Sequence, residues 1–335
     1  MSVIHQDDVF DHYSPEFSQD PYATLTQYVP DRPVQWCSKH GGFWLVSDYN
    51  YILEICNDPY TFKKSEGANL PVDVISSTLI PGTKDAPDYV KYRKVFAPSF
   101  TAARMKQIRD EVRTISNRAL DQFIERGACD IVTEYAYGIP AQVMMSILGF
   151  ELSDWTKFAD PLSFKQRYGF YLSPEQKAQR ESANAKLYEE IRAKIDERRA
   201  SPRNDLISTL LQAKVMDRPF TQTEIEGAVM HMFLTGFDTT NGAIANMILH
   251  LWRRPDIRTM VLAAPERLAQ VIEEFLRFEP PSPTVARIVA KDTELGGVKI
   301  LPKSSTALGV ADTNTRPHAA AVEAALAKGG LRTAS

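Results

Sequence analysis

The chain has 335 residues and a formal net charge of −3, from 39 Lys+Arg against 42 Asp+Glu, so no basic excess exists to neutralise nucleic-acid phosphates. Hydrophobic residues make up 44% and charged residues 24%, the balance of a soluble globular protein whose length suits two domains of ~150 residues or one large one, with a core that needs no staples. Mean hydropathy is −0.28 and no apolar run approaches ~18 residues, so no membrane span is expected.

The N-terminus, Met1 to Asp8, is polar and acidic and does not read as a signal peptide. Cys37, Cys56 and Cys129 are odd in number, far apart and outside any CxxC pattern. They predict neither a disulfide framework nor a zinc site, and they fit a reducing cytoplasm. No metal-ligand set is expected, and each cysteine reads by default as a small buried hydrophobe.

Strand signals concentrate in the first 65 residues. Val34–Cys37 and Phe43–Val46 flank a loop containing Gly41 and Gly42 and predict a β-hairpin. Asp48 to Asn57 reads as a helix. Residues 66–88, rich in Pro, Gly, Asp and Ser, predict a long connection of the kind that serves as a lid or binding loop.

Helices dominate from residue 88 to 278. Met105, Ile108, Val112 and Ile115 step at helical period, and Gly127 is a stop. A helix over 130–149 is interrupted near Gly138 and Pro140. Residues 175–200 form a charged amphipathic helix ending near Ser201-Pro202, and Asn204-Asp205 caps a short helix through Leu211. Thr221-Gln222-Thr223-Glu224 is a capping-box pattern, with no proline until Pro255. One helix of about 30 residues there would be ~45 Å long. Helices over 256–263 and 266–278 end at Pro280, Pro281 and Pro283. Strand-like pieces follow near 286–289 and 298–301. No aromatic residue occurs after Phe278, and residues 318–335 hold seven alanines and two glycines, the composition of a tail outside the fold.

Thr235-Gly236-Phe237-Asp238-Thr239-Thr240 sits in the middle of the long helix against its propensity. Thr239 and Thr240 can bond the carbonyls of Thr235 and Gly236. The expected result is a bulged helix with an acid and a hydroxyl beside the defect, able to relay protons into an apolar site. Glu274 and Arg277, at i, i+3, can form an ion pair. Tyr89 and Arg93, one turn apart, can offer a hydroxyl and a guanidinium to one anion. Each of these also reads as ordinary helix surface when taken alone.

Together the segments resemble the cytochrome P-450 monooxygenases in their soluble bacterial form. Thr235 to Thr240 resembles the A/G-G-x-D/E-T-T motif, Glu274 to Arg277 the E-x-x-R motif, and Asp85 to Arg93 the D-P-P-E-H-x-x-x-R segment. Gly41 to Trp44 fits the first hairpin. Pro281 to Arg287, followed by Asp292 to Gly297, fits the stretch after E-x-x-R. The likeness covers roughly residues 10–315.

The resemblance implies a mainly α fold with a long central helix and a small N-terminal β-rich region. The domain would run from 1 to 317, β-rich over about 20–65 and helical over about 88–278. It implies a haem cofactor, O2, a small organic substrate, and electrons from NAD(P)H through a ferredoxin-type donor and its reductase. Asp238 and Thr239 would deliver protons. Tyr89, Arg93 and Arg287 would hold haem propionates, and Thr235 and Gly236 would lie over the ring. Glu274 and Arg277 would be structural. Residues 66–84, Phe233, Phe237 and Val285 would touch substrate.

Tyr89 stands where the family has His, Thr235 where it has Ala or Gly, and Ser304-Ser305 where a strand-turn Gly is expected. The F-x-x-G-x-x-x-C loop that supplies the haem thiolate is absent from this sequence. The expectation is a truncated or frame-shifted member of doubtful activity, the alternative being a non-catalytic remnant or a fragment that misfolds. A remote alternative is a class I terpene cyclase, with Asn204, Asp205, Ser208 and Gln212 near a Mg²⁺–diphosphate site.

Overall fold

The structure is a computed structural model that describes residues 10–26, 33–65, 70, 79–163, 172–302 and 304–309. Most of the 66–84 connection and the whole 318–335 segment lie outside the described residues.

The chain opens with α1 (Pro15–Gln19) and α2 (Pro21–Thr26), the first capped by Ser14, whose Oγ accepts the Phe17 N–H at 3.1 Å. β1 (Val34–Cys37) and β2 (Phe43–Val46) form the expected antiparallel hairpin, Val34 opposite Val46. Its turn holds His40, Gly41 and Gly42 at φ 55, 87 and 91°. Glycine is required at 42, where a Cβ would sit 2.5 Å from Trp36. Asp48 caps α3 (Tyr49–Asn57), and β3 (Phe62–Lys63) follows.

Next come α4 (Asp88–Phe96) and α5 (Ala102–Asp121), the latter capped by Thr101. The interruption expected near Gly138 and Pro140 lies ahead of both: a π-helical stretch over Ile131–Ala136 leads into α6 (Gly138–Leu148), which runs unbroken through Pro140 in its first turn. α6 stops at Gly149, φ 89°, whose N–H and that of Phe150 both reach the Met145 carbonyl. α7 (Trp155–Leu162) is followed by α8 (Pro174–Ala200), which starts on a capping box between Ser173 and Gln176. Asp205 caps α9 (Leu206–Gln212).

A two-stranded ribbon, β4 (Lys214–Val215) and β5 (Arg218–Pro219), precedes α10 (Gln222–Arg253), the 32-residue helix the capping box announces. α11 (Pro255–Ala263), α12 (Leu268–Phe278), β6 (Thr284–Val289), β7 (Thr293–Leu295), β8 (Val298–Ile300) and β9 (Ser305–Gly309) complete the order.

Two compact units emerge, one of Met1–Asp73 with Ala243–Ser335, the other of Val74–Gly242, and the division falls inside α10. The first holds a five-stranded sheet ordered β1-β2-β9-β6-β3. The sheet is therefore not drawn from residues 20–65 alone: β9 runs parallel to β2, and β6 antiparallel to both β9 and β3. Its two apolar clusters centre on Phe10, Phe17, Leu25, Phe43 and Leu45, and on Trp44, Val46, Ile55, Phe62 and Val289.

The second unit packs α6 to α9 around the N-terminal part of α10. Met145, Leu148, Ile191, Ile195, Ile207, Val229, Phe233 and Phe237 are at most 1% exposed. Burial on this scale, at about 25 cal/mol per Å² of apolar surface, is the main stabilising term.

Candidate active site

The middle of α10 is sorted by helical period. Thr235, Asp238 and Thr239 stand at i, i+3 and i+4 and share one face, with both threonines exposed and Asp238 half-buried. Phe233 and Phe237 are turned the other way. Phe233 stacks on Phe158 with ring centroids 4.8 Å apart, and Phe237 meets Tyr137 edge-on at 4.9 Å. These two phenylalanines thus bind α10 to its neighbours, and the polar face lies opposite them.

The expected bulge is not there: α10 stays α-helical through the motif. Thr239 Oγ1 donates to the Thr235 carbonyl at 2.9 Å and Thr235 Oγ1 to the His231 carbonyl at 2.8 Å. These bonds go to carbonyls that still serve the helix, so they add to the ladder and do not open it. The bond expected from Thr240 to Gly236 is not formed among the described residues. Gly236 answers a packing need, because a Cβ there would collide with the Met144 methyl on α6.

On α4, Arg93 Nη1 donates to Tyr89 Oη at 2.5 Å, and its guanidinium lies 5.8 Å from the Tyr89 ring centroid. Arg93 is exposed, so a preformed hydroxyl–guanidinium pair faces outward. Buried Tyr92, one residue before Arg93, donates to Glu224 in the first turn of α10, and Arg218 grips the same carboxylate through two bonds of 2.8 Å. The Arg218 bonds, together with the Thr221 N–H and Tyr92, overcome the cost of burial and lower the Glu224 pKa to about 2.

In the other unit Arg277 clasps Glu274 through Nε at 2.7 Å and Nη2 at 2.5 Å. The Glu274 side chain is 3% exposed and that of Arg277 34%, so the carboxylate end of the fork is buried and the guanidinium reaches partly into solvent. Arg287 lies half-buried on β6, with Nη1 donating to the Ala286 carbonyl at 2.7 Å and its own carbonyl accepting from Thr306. Val285, two positions before Arg287, is half-buried.

Several contacts escaped sequence reasoning. Arg198 and Asp205 form a buried ion pair with 1% and 4% side-chain exposure. Asp205, already the cap of α9, is consumed there, which removes the carboxylate that the terpene-cyclase alternative needs. His250 pairs with Glu279. Asp11, His12 and His40 converge in the sheet unit. None of these pairs has a spacing that a motif records.

A long helix bearing an acid–hydroxyl face, a Glu-x-x-Arg helix closed by its own ion pair and a small mixed sheet define a mainly α protein. The family model described as Cytochrome P-450 matches residues 40–308, and the chain belongs to that family. It is 27% identical over 315 residues to vitamin D(3) 25-hydroxylase of Pseudonocardia autotrophica, covering 91% of this chain and 76% of that one. With 6-deoxyerythronolide B hydroxylase of Saccharopolyspora erythraea it shares 28% over 303 residues, 86% and 73% of the two chains.

Among solved structures, CYP109E1 of Bacillus megaterium superposes with a TM-score of 0.76 at 26% identity, covering 87% of this chain and 76% of that one. CalO2 superposes at 0.81 and 22%, covering 93% and 79%. Members of the family bind haem and are haem-thiolate monooxygenases. Among the described residues no helix is long and apolar enough to cross a membrane.

The side chains present fit a haem in part. Arg93 with Tyr89, and Arg287, are donors suited to carboxylates. The proximal thiolate is not met: buried Cys37 donates its S–H to the Phe10 carbonyl at 2.8 Å within an apolar cluster. Cys56 is exposed on α3, and Cys129 precedes the π-helical turn.

Proposed function

We propose that these 335 residues carry the oxygen-side and propionate-side machinery of a monooxygenase that places one atom of O2 into a small organic substrate. The observation that supports this reading is the polar face of α10. Thr235, Asp238 and Thr239 are gathered on one side of an unbroken helix whose other side is locked into the core by Phe233, Phe237 and Gly236.

When bound, haem supplies the electron-rich iron at which O2 is activated. The chain's own groups position and move protons. Thr239 donates its hydroxyl hydrogen to the Thr235 carbonyl, which leaves the Thr239 oxygen able to accept a proton or a water. Asp238, on the adjoining position of the same face, supplies the proton and recovers it from solvent. Tyr89 with Arg93, and Arg287, pair with propionates. Glu274 and Arg277 hold α12 internally.

Electrons come from NAD(P)H through a ferredoxin-type donor and its reductase. Residues 66–84 and Val285 contact substrate, and Phe233 and Phe237 set the position of the helix that does. Residence in the cytoplasm accords with three free cysteines. The working domain is residues 1–317, with 318–335 outside it.

A second reading draws on Cys37, whose S–H is given to the Phe10 carbonyl: a non-catalytic member of the family that binds haem without thiolate ligation or acts as a scaffold. Adding haem to the full chain and recording the reduced CO spectrum separates the two. The expected outcome is a Soret band without thiolate character, weakened in R93Q and R287Q. A thiolate-type band at full occupancy would overturn the assignment of the cysteines. Spectra unchanged in both variants would sink the propionate assignment.

A further inference from the structure

We propose that Asp11, His12 and His40 form a binding site for one divalent transition-metal ion of the zinc class. The three come from two places, the stretch ahead of α1 and the turn between β1 and β2. One carboxylate oxygen of Asp11 and one ring nitrogen of each histidine lie within 4.8 Å of one another. Two imidazoles and a carboxylate are a donor set that zinc, cobalt and nickel share, with one position left for water.

The histidines are prepared for this role in different ways. His12 Nε2 lies 2.9 Å from the Leu70 carbonyl. A carbonyl only accepts, so Nε2 carries the hydrogen and the lone pair is on Nδ1. That Nδ1 is buried and makes no hydrogen bond. An imidazole that gives one N–H to a backbone carbonyl and keeps a bare nitrogen is in the tautomer and orientation of a metal ligand.

His40 is 3% exposed in its side chain and sits at φ 55°, backbone that a non-glycine residue seldom adopts. Its Nε2 faces Asp11 Oδ1 at 2.8 Å. Asp11 Oδ1 also accepts the Tyr13 N–H at 2.9 Å, which fixes the direction of the carboxylate. Tyr13 and Phe43 wall the group, with ring centroids 4.2 and 5.7 Å from that of His12.

Ligands about 2 Å from zinc stand roughly 3.3 Å apart, so the group closes on an ion by a side-chain rotation of about 1.5 Å. The bound ion would pin the stretch ahead of α1 to the hairpin turn. Nothing in the site depends on haem, so it stands or falls apart from the monooxygenase reading.

The test is a titration of the untagged, chelator-treated full chain, with Zn²⁺ by calorimetry and with Co²⁺ by its visible ligand-field bands. One ion per chain with a micromolar Kd is expected. H12Q, which keeps an N–H for Leu70, and H40Q should each weaken binding by at least the about 10–100-fold that loss of a mere outer-shell partner costs. Circular dichroism melts establish that each variant is folded. Should H40Q not fold, H12Q and D11N carry the comparison. Absence of saturable binding to the wild-type chain, or equal binding by folded H12Q and D11N, overturns the proposal.

Discussion

Arg198 shows how a single residue can organise its neighbourhood. It is nearly solvent-free, yet its guanidinium serves three carbonyl or carboxylate groups: Asp205, Glu197 and the Gly149 carbonyl at 2.6 Å. Asp205 in turn accepts the Ser208 N–H at 2.8 Å. Removing one partner leaves a buried charge without its counter-ion. D205A is therefore expected to cost about 3–5 kcal/mol, and the double variant R198M/D205L much less than the sum of its parts. Urea midpoints for the two singles and the double provide the check. At Gly149 a Cβ would meet both Asp205 and Arg198 on backbone that is already left-handed. G149A should lower stability by about 1–3 kcal/mol in the same assay. Thr239 contrasts with both: it is exposed and bonded only to its own helix. T239A is expected to leave the urea midpoint nearly unchanged while altering whatever proton delivery the chain supports.

Among the elements, α10 is where local and tertiary demands meet. Thr221 accepts the Glu224 N–H at 3.2 Å while Glu224 accepts the Thr221 N–H at 2.9 Å, so the helix start is encoded locally. T221A should cost about 1 kcal/mol, read from thermal melts. The middle of the helix is decided from outside. Gly236 is poor helix material, but it leaves room for the Met144 methyl of α6. The contact is with the free end of the Met144 side chain, which swings aside, so G236A is expected to cost at most about 1 kcal/mol, its better propensity offsetting the crowding. In a double-mutant cycle with M144A the added methyl should be relieved. A cycle with no coupling would show that the collision is absorbed elsewhere.

For the molecule as a whole, several carboxyls held below their ordinary range make stability depend on acid. The Glu224 carboxyl, held to about 2 by Arg218, the Thr221 N–H and Tyr92, titrates below its ordinary value of 4.5. A carboxylate depressed in the folded state stabilises fully above its unfolded pKa and loses that contribution as pH falls through the folded one. Asp11 and Asp58 are shifted the same way, by Tyr13 and His40 in one case and by Thr61 in the other. Unfolding free energy should thus decline from near pH 4.5 towards pH 2. E224Q, which has no carboxylate to protonate, should show a flatter acid limb. An acid profile identical to the wild type would remove Glu224 from the account.

Local chemistry alone determined most of the elements. Apolar steps of three and four, the helix starts at Asp48, Asp205 and Thr221, and the left-handed stop at Gly127, reached through a short 3-10 turn after α5 ends at Asp121, are short-range signals. They placed the hairpin and the long helices near their observed ends. The acid, hydroxyl and glycine at 235–239 and the Glu274–Arg277 spacing were legible for the same reason, since i, i+3 and i+4 neighbours meet whatever the fold. Three things waited for tertiary structure. The pairings of β3 with β6 and of β2 with β9 join strands more than 200 residues apart in sequence, and pairing at that range leaves no local trace. The α10 motif stayed straight because carbonyls bonded by threonine hydroxyls remain in the ladder, and because Phe233, Phe237 and Met144 clamp the opposite side. The Arg198–Asp205, Tyr92–Glu224–Arg218 and Asp11–His12–His40 groups exist only because folding brings together side chains whose partners no sequence spacing specifies.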